Sequence, residues 1–269
     1  MRKDYIAIPD SDSSNEKDFV ADYWTNVWNQ SSLGKDVQER VEDRIEFRMM
    51  KPVLERLPRD ARVLDGGCGP GAWTLALSAK GLSVTGMDLS EKTIGRLNEL
   101  FPKEQFVAGD LRTTNFRDGE FSVYFAWGVF EHFEAGLGPC LREARRIIKK
   151  DGYLFASVPF HNRRLWRRDH LPLESVDAEY TPLKGYSKAM RFYQWRFNEQ
   201  EFRRELELHG FDVQSVVPIH KEVGIHRMLV TDYGVSAGSR FHNILQKVLC
   251  PLLPAGYIAN MVIAVGRKR

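Results

Sequence analysis

The fold is decided by one stretch of ten residues, Val63-Leu64-Asp65-Gly66-Gly67-Cys68-Gly69-Pro70-Gly71-Ala72. The short apolar run at its start predicts a buried strand. The glycine-rich turn that follows lets the backbone adopt positive φ and lets a ligand approach the main chain closely. Residues 72–80 then predict a helix that stops at Gly81, and its N-terminus adds free N–H groups and partial positive charge. A strand, a glycine turn and a helix in this order indicate a nucleotide-type binding site.

Two patterns overlap in this turn and predict different cofactors. Gly67-x-Gly69-x-x-Ala72 fits the loose form of the dinucleotide-binding fingerprint. Asp65-x-Gly67-x-Gly69-x-Gly71 instead resembles the first motif of the class I S-adenosylmethionine-dependent methyltransferases, in which the strand ends in an acidic residue followed by alternating glycines. An acid there repels a pyrophosphate but attracts the methionyl ammonium of S-adenosylmethionine. A tight turn without a ligand is the simplest alternative, although it does not require an aspartate and three glycines.

Length and composition indicate a globular protein. The chain has 269 residues, 43% of them hydrophobic and 28% charged, with a net charge of +3 that is too small by itself to indicate a nucleic-acid partner. The three cysteines, Cys68, Cys140 and Cys250, are widely spaced without metal-ligand spacing, which suits a reducing compartment. No signal peptide is visible, and the apolar segment 248–259 contains two prolines and is too short to span a bilayer. We therefore expect a cytoplasmic protein with no transmembrane segment and no metal site.

Two further aspartates end predicted strands. Residues 83–88 predict a strand that ends in Asp88, followed by Leu89 and by Ser90 as the cap of a helix over 91–100. Asp88 lies about twenty residues past the glycine turn, where an acid accepts hydrogen bonds from ribose hydroxyls in either type of cofactor. The next predicted strand leads to Asp110 and Leu111. The resemblance implies that Asp110 faces the adenine 6-amino group with the Leu111 backbone beside it, whereas a dinucleotide site predicts no acid there.

A fully apolar run, Phe121–Trp127, predicts a buried parallel strand that leads into Glu131-His132. Glu-His after such a strand resembles small-molecule methyltransferases. The resemblance implies that the strand end lies under the transferred methyl group and that Trp127 lines the pocket. His132 is the histidine placed where a base can act, so it is our candidate general base. The alternative is an orienting or packing role beside Glu131, because many such enzymes rely on positioning alone.

The N-terminal region predicts a flexible segment followed by helices. Residues 1–18 are polar and mixed in charge, and we expect them to be flexible. Tyr23, Trp24 and Trp28 then lie about one helical turn apart. This stripe indicates a face packed on the core, or, by the resemblance, a lid whose aromatic rings cover the cofactor. A second helix is predicted over 36–56.

Strands and helices alternate five times up to residue 158, which is typical of a doubly wound parallel sheet. A sixth strand follows at 211–218, and residues 260–265 predict the last one. The predicted fold is α/β: a Rossmann-like, seven-stranded, mostly parallel sheet with an antiparallel last strand, N-terminal helices and a cap insertion after strand 5. We expect one domain over 19–269, with the cap insertion at about 159–196 and a second insertion at about 219–257. Within the second insertion, 219–240 is predicted irregular, and an amphipathic helix follows whose apolar face packs on the body, contacts a membrane surface or forms a dimer contact.

The cap insertion is long, basic and aromatic, and it contains His161, Trp166 and Tyr193. Because it follows the fifth strand, we interpret it as a cap over the substrate, with these three residues, Trp127 and His132 as candidate substrate contacts. The interleaved arginines and tryptophan of 161–168 also suit an RNA-contacting patch, or simply a solvated charge run on a helix.

The family resemblance covers roughly residues 50–160 and 197–267. It implies S-adenosyl-L-methionine as cofactor, S-adenosyl-L-homocysteine as product, and methyl transfer to an oxygen, nitrogen or carbon of a small or medium-sized metabolite. The alternatives are an RNA or protein methyltransferase, an NAD(P)-linked oxidoreductase, and a non-catalytic cofactor-binding protein; a homodimer is a further prediction. The expected cofactor-binding residues are Asp65, Gly66, Gly67, Cys68, Gly69, Gly71, Asp88, Leu89, Asp110, Leu111, Trp127, Tyr23 and Trp24.

Overall fold

The computed structural model describes residues 1–7, 15–29, 41–169 and 190–269. The strands are β1 (Arg2–Ala7), β2 (Arg62–Gly66), β3 (Ser83–Asp88), β4 (Gln105–Ala108), β5 (Phe121–Trp127), β6 (Ile148–Pro159), β7 (Met190–Arg196), β8 (Phe211–Ile219) and β9 (Met261–Lys268). The helices are α1 (Glu16–Asn29), α2 (Ile45–Leu54), α3 (Ala72–Ser78), α4 (Glu91–Leu100), α5 (Gly138–Ile147), α6 (Arg163–Asp169), α7 (Glu199–Leu208), α8 (Lys221–Arg227), α9 (Arg240–Leu252) and α10 (Ala255–Ile258).

Seven strands form the main sheet in the order β4-β3-β2-β5-β6-β9-β8. The first five pair in parallel, and β9 lies antiparallel between β6 and β8. The predicted fold class is therefore confirmed, including the antiparallel last strand. The order reverses between β2 and β5, so the carboxyl ends of these strands flank the crevice where such sheets bind ligands.

The central strand β5 is buried on both faces. Tyr124 and Ala126 belong to one apolar cluster, together with side chains of α5 and α7, whereas Val123 and Phe125 belong to a second cluster with α2 and α3. Burial on both faces explains why this strand is apolar throughout.

The N-terminal residues differ from the flexible segment that the sequence predicts. Residues 2–7 form strand β1, which pairs antiparallel with β7 as a separate two-stranded sheet. Asp4 holds the pair, since its carboxylate accepts hydrogen bonds from Gln194 (2.8 Å) and Arg196 (2.5 Å). The partner strand lies more than 180 residues further along the chain, so no local sequence pattern reveals this pairing. Residues 8–14 lie outside the described residues, and α1 begins at Glu16.

The two predicted insertions contain more regular structure than expected. The described parts of the cap insertion are α6 and β7, while 170–189 lie outside the described residues. In the second insertion the region predicted as irregular begins with α8. Gly224 lets α8 approach α10 closely, because a Cβ there would lie 1.7 Å from the carbonyl oxygen of Ile258. A seven-residue helix with a central glycine lacks the apolar periodicity by which helices are predicted.

The predicted amphipathic helix is α9, and its apolar residues are divided between two faces. Leu245 and Leu249 pack in a cluster with α8 and α10. Four others are at least half exposed: Phe241, Ile244, Val248 and Leu252. The helix predicted over 36–56 is described only from residue 41, and its regular part is α2.

Candidate functional site

A cavity of about 540 Å³ lies at the carboxyl ends of β2, β3 and β5, where Asp65, Asp88 and Trp127 line it. The expected cofactor residues Gly67, Cys68, Gly69, Leu89, Leu111 and Trp24 line it too. We call it the first cavity. Trp28 of the predicted aromatic lid and Ala72 of the glycine motif line it as well. Its wall also contains residues that were not predicted as site residues: Val20, Ala21, Arg44, Pro70, Trp73, Gly109, Gly128, Val129 and Phe133. Several of these come from segments adjacent to the motifs, but no motif distinguishes Arg44.

The glycine turn needs glycine for both conformation and space. Gly67 has a φ of 77°, and a Cβ there would lie 2.4 Å from the Val129 side chain. The Gly67 and Cys68 N–H groups both donate to the Met87 carbonyl (2.7 and 3.0 Å), which joins the turn to β3. Gly66 and Gly71 do not belong to the cavity wall. They shape the turn from behind, against Tyr124 and Phe106 respectively.

Asp65 joins the end of β2 to the start of α3. One carboxylate oxygen accepts hydrogen bonds from the Thr74 backbone N–H (3.1 Å) and from its hydroxyl (2.8 Å). Burial raises the pKa of Asp65 to about 7. A cation bound in the cavity would favour the ionised form, so the predicted interaction with an ammonium group fits the position of this side chain.

Asp88 is almost fully buried at the end of β3. Its oxygens accept hydrogen bonds from the N–H groups of Gly69 and Ser90, each at 2.9 Å, and burial raises its pKa. Ser90 caps α4 as predicted, by accepting from the Thr93 N–H at 3.1 Å. A carboxylate oxygen has more than one acceptor position, so Asp88 retains capacity for the hydroxyls of a ribose.

Asp110 lies next to the first cavity without lining it. Its carboxylate accepts hydrogen bonds from the Arg112 side chain (2.8 and 3.0 Å) and backbone N–H (2.9 Å), and Arg112 also pairs with Glu16 of α1. Burial raises the pKa of Asp110, but the hydrogen bonds from Arg112 lower it by more, so the pKa lies below its ordinary value. The neighbours Gly109 and Leu111 do line the cavity. The adenine contact therefore stays a prediction, and it requires Asp110 to be shared with Arg112.

Aromatic rings from α1 cover the first cavity. Trp24 and Trp28 stack with their ring centroids 5.1 Å apart, and both belong to the wall. Tyr23 does not line it and instead contacts Tyr193 of β7, at 5.4 Å between ring centroids. This arrangement favours a lid over the cofactor site rather than a helix face packed on the core.

Glu131 and His132 lie in a 3₁₀ turn (Phe130–His132) beyond β5. His132 Nδ1 lies 2.8 Å from the Tyr193 carbonyl oxygen, and Nε2 lies 3.9 Å from Glu131 Oε1. Since a carbonyl only accepts, Nδ1 carries the proton and Nε2 carries the lone pair of the neutral ring. Burial lowers the pKa of His132 to about 4, against the opposing effect of the Tyr193 and Gly128 carbonyls. Burial also raises the pKa of Glu131 to about 8, so near neutral pH both groups are uncharged.

A second cavity of about 610 Å³ adjoins the first, and four residues line both: Trp24, Trp127, Gly128 and His132. Its remaining wall comes mainly from β1, α6, β7 and α8. Of the other predicted substrate contacts, only Tyr193 belongs to this wall. His161 instead pairs with Asp169 at 2.9 Å, and Trp166 is 52% exposed. The residues from β1 and α8 were missed because they lie far from every motif.

The described part of the chain contains no group of three His, Cys, Asp or Glu side chains placed to hold a metal ion. None of its helices has both the length and the apolar character needed to cross a bilayer.

Comparison with known proteins identifies the central segment. Residues 64–156 match a family model described as a methyltransferase domain. An uncharacterized methyltransferase of Synechocystis is 33% identical over 106 residues, which cover 39% of this chain and 50% of that protein. A ubiquinone biosynthesis O-methyltransferase of Yersinia enterocolitica is 26% identical over 179 residues, covering 65% of this chain and 69% of that protein. The chain thus spans only half to two thirds of the length of these relatives.

Solved structures share the fold over nearly the whole chain. A geranyl diphosphate C-methyltransferase from Streptomyces coelicolor, in complex with Mg²⁺, geranyl diphosphate and S-adenosyl-L-homocysteine, matches with a TM-score of 0.60. The sequence identity is 13%, and the match covers 96% of this chain and 100% of that one. At this identity the likeness establishes the fold alone.

Proposed function

We propose that this chain, which belongs to the class I S-adenosylmethionine-dependent methyltransferases, methylates a small or medium-sized metabolite held in the second cavity. The observation that carries the proposal is the wall common to the two cavities. A cofactor in the first cavity and an acceptor in the second would meet at Trp24, Trp127, Gly128 and His132. This junction lies at the end of β5, at the carboxyl edge of the sheet.

The cofactor is S-adenosyl-L-methionine, and the first cavity suits it. Asp88 offers buried acceptor oxygens for a ribose, and Gly67 keeps the main chain open to close approach. The indole N–H groups of Trp28 and Trp127 are buried without a hydrogen-bond partner in the described part of the chain, which leaves two donors for a polar ligand. When bound, the cofactor supplies a methyl group activated by its sulfonium.

The chain itself contributes positioning, exclusion of water and a place for a proton. The rings of Trp24 and Trp127 line both cavities and give the junction an apolar wall that would exclude water once both ligands are bound. His132 is neutral near pH 7, and a neutral imidazole is the form that accepts a proton. We therefore propose His132 as the base for a hydroxyl acceptor, with Nδ1 held by the Tyr193 carbonyl so that Nε2 is the accepting atom.

The alternative of an RNA or protein acceptor is less well supported. Arg163 and Arg167 of the basic segment 161–168 are exposed, whereas Arg164 and Arg168 line the second cavity and both pair with Asp232. Their side chains are only 11% and 22% exposed. Two of the four arginines of this segment therefore belong to a cavity wall, which favours a small acceptor over a polymer.

Calorimetric titration with S-adenosyl-L-homocysteine tests the cofactor site. We expect binding to the wild type, a loss of roughly tenfold or more in Asp88→Asn from the weakened charge-assisted hydrogen bonds, and no binding of NADP. Glu99→Gln, the same change on the exposed face of α4, is the matched control and should bind like the wild type. Binding of NADP without binding of S-adenosyl-L-homocysteine would overturn the proposal in favour of an oxidoreductase.

The acceptor is then sought with methyl-deuterated S-adenosylmethionine and a small-molecule extract. Mass spectrometry should show a labelled product that disappears when the protein is omitted. A protein that binds S-adenosyl-L-homocysteine but labels nothing would support the non-catalytic alternative.

We further propose a cytoplasmic location. All three cysteines are free thiols, which supports a reducing compartment. The predicted homodimer stays a prediction, and sedimentation would test it.

A further inference from the structure

The second cavity has a predominantly cationic wall. Six basic side chains line it: Arg2, Lys3, Arg164, Arg168, Arg196 and Arg227. The carboxyl groups of the same wall, within the described ranges, are those of Asp4 and Glu131. Burial raises the pKa of Glu131 to about 8, so this group does not offset the positive charge near pH 7. A ligand in this cavity therefore meets mainly guanidinium groups.

Ion pairs hold these basic side chains in place and offset part of their charge. Asp4 contacts both Arg2 (3.5 Å) and Arg196 (2.5 Å). Asp232 similarly contacts both Arg164 and Arg168, the latter at 3.6 Å, from outside the cavity wall. Arg2 also pairs with Asp169, and Lys3 pairs with Glu134. The net positive charge is therefore concentrated at Arg164 and Arg168, which share one carboxylate.

Besides the Trp127 indole N–H at the common wall, two buried polar atoms in this wall lack a partner within the described residues. Arg164 Nε is buried without a hydrogen-bond acceptor, and its side chain is 11% exposed. Glu131 is 2% exposed, and its Oε2 has no partner either. Buried polar groups are seldom left unpaired in native proteins, because each costs free energy. Their presence in one cavity indicates that a polar ligand completes their hydrogen bonds.

We propose that the acceptor carries an anionic group, a carboxylate or a phosphate, which Arg164 and Arg196 bind in the part of the second cavity away from the cofactor. This inference rests on the proposed function, since it names the class of acceptor. Guanidinium groups suit both anions because their planar set of donors bonds two oxygens at once. The five arginines line only the second cavity, whereas Trp24, Trp127, Gly128 and His132 line both. The charged end of the acceptor is thus held apart from the atom to be methylated.

The test uses the full chain saturated with S-adenosyl-L-homocysteine and three probes of similar shape: benzoate, phenyl phosphate and the neutral benzamide. We expect at least one anion to bind at least tenfold more tightly than benzamide in calorimetry, with an affinity that falls as salt is raised. The comparison of benzoate with phenyl phosphate decides between the two anions. Equal binding of benzamide, or binding of neither anion, would overturn the inference.

Matched variants locate the binding. Arg164→Gln and Arg196→Gln should each weaken binding of the anion by roughly tenfold or more, since each removes a charge-assisted contact. Arg164→Lys keeps the charge but loses the planar set of donors, so it should bind the anion with intermediate affinity. This variant replaces Arg164→Gln if the latter does not fold. Arg269→Gln is the control. Arg269 is exposed after the end of β9, which lies at the amino ends of the parallel strands, away from both cavities. A loss in Arg269→Gln as large as in Arg164→Gln would contradict the assignment.

Titration with S-adenosyl-L-homocysteine precedes each measurement and separates the two proposals. If that ligand binds normally and the anions do not, the anionic acceptor is wrong while the proposed methyltransferase stands. If it does not bind at all, the proposed function itself fails.

Discussion

The first cavity takes most of its wall from residues 65–133, whereas the second takes its wall from β1, α6, β7 and α8, which lie far apart in the chain. The first is formed by strand ends and the loops that follow them. Its acids, Asp65 and Asp88, are held by backbone N–H groups of their own and neighbouring turns. The second is formed by segments that are distant in the sequence, and ion pairs such as Arg196 with Asp4 join them.

This difference separates what the fold requires from what the acceptor requires. Parallel strands and their turns place the first cavity wherever this sheet occurs. The second cavity depends on peripheral segments, which are free to vary without disturbing the sheet. We therefore expect changes in the first cavity to alter cofactor binding, changes in the second to alter acceptor binding, and changes at the common wall to alter the rate of transfer.

The largest expected effect lies at the common wall. His132→Asn should slow methylation of a hydroxyl acceptor by about 100-fold or more, because it removes the proposed base. The affinity for S-adenosyl-L-homocysteine should stay within about threefold of the wild-type value. The rate is measured by mass spectrometry with the acceptor found in the extract. His209→Asn is the control, since His209 Nδ1 also lies 2.8 Å from a backbone carbonyl but lies outside both cavities.

The pH profile separates a base from a merely structural histidine. The pKa of His132 is lowered to about 4, so the wild-type rate should be nearly flat between pH 6 and 7, below the pKa of about 8 to which burial raises Glu131. The variant depends on hydroxide from solvent, and its rate should rise steeply over the same range. A variant within threefold of the wild type, with a flat profile, would mean that positioning alone suffices.

The next effect is confined to the first cavity. Gly67→Ala should weaken the binding of S-adenosyl-L-homocysteine by roughly 30-fold. The new Cβ overlaps the Val129 side chain, and the φ of 77° is unfavourable for alanine. Gly81→Ala is a matched control: its φ is 83°, but nothing lies within 4 Å of the added carbon. It should lose about 1 kcal/mol of stability from backbone strain and bind normally. Equal loss of binding in the two variants would show that strain, not the shape of the turn, controls the cofactor site.

The same comparison explains what the sequence predicts well. The seven strands, the glycine turn and the positions of Asp65 and Asp88 follow from patterns that each lie within a few residues. Strand β1 was missed because its partner β7 lies more than 180 residues away in the sequence, and no pattern within 2–7 shows that pairing. Arg112 next to Asp110 and Arg196 in the second cavity were missed for a similar reason, since side-chain pairing depends on the packed structure.

The smallest expected effect compares one buried acid from each cavity through the pH dependence of stability. Burial raises the pKa of Glu131 from 4.5 to about 8 and that of Asp65 from 3.8 to about 7. Between the ordinary pKa of each group and its raised pKa, the folded protein holds a proton that the unfolded chain has released. The free energy of unfolding therefore falls as pH rises through that interval. His132, with its pKa lowered to about 4 from 6.5, has the opposite effect, but only below pH 6.5.

From pH 6.5 to 8 the loss due to Glu131 should be about 2 kcal/mol, at 1.36 kcal/mol per pH unit. Urea denaturation at several pH values measures it. Glu131→Gln should remove most of this loss, whereas Asp65→Asn should affect only the part below about pH 7 and leave the decline from pH 7 to 8. Glu99→Gln, on the exposed face of α4, should behave like the wild type. If Glu131→Gln retains the full decline, the carboxyl group is ionised in the folded protein, and the second cavity contains a negative charge that would oppose an anionic acceptor.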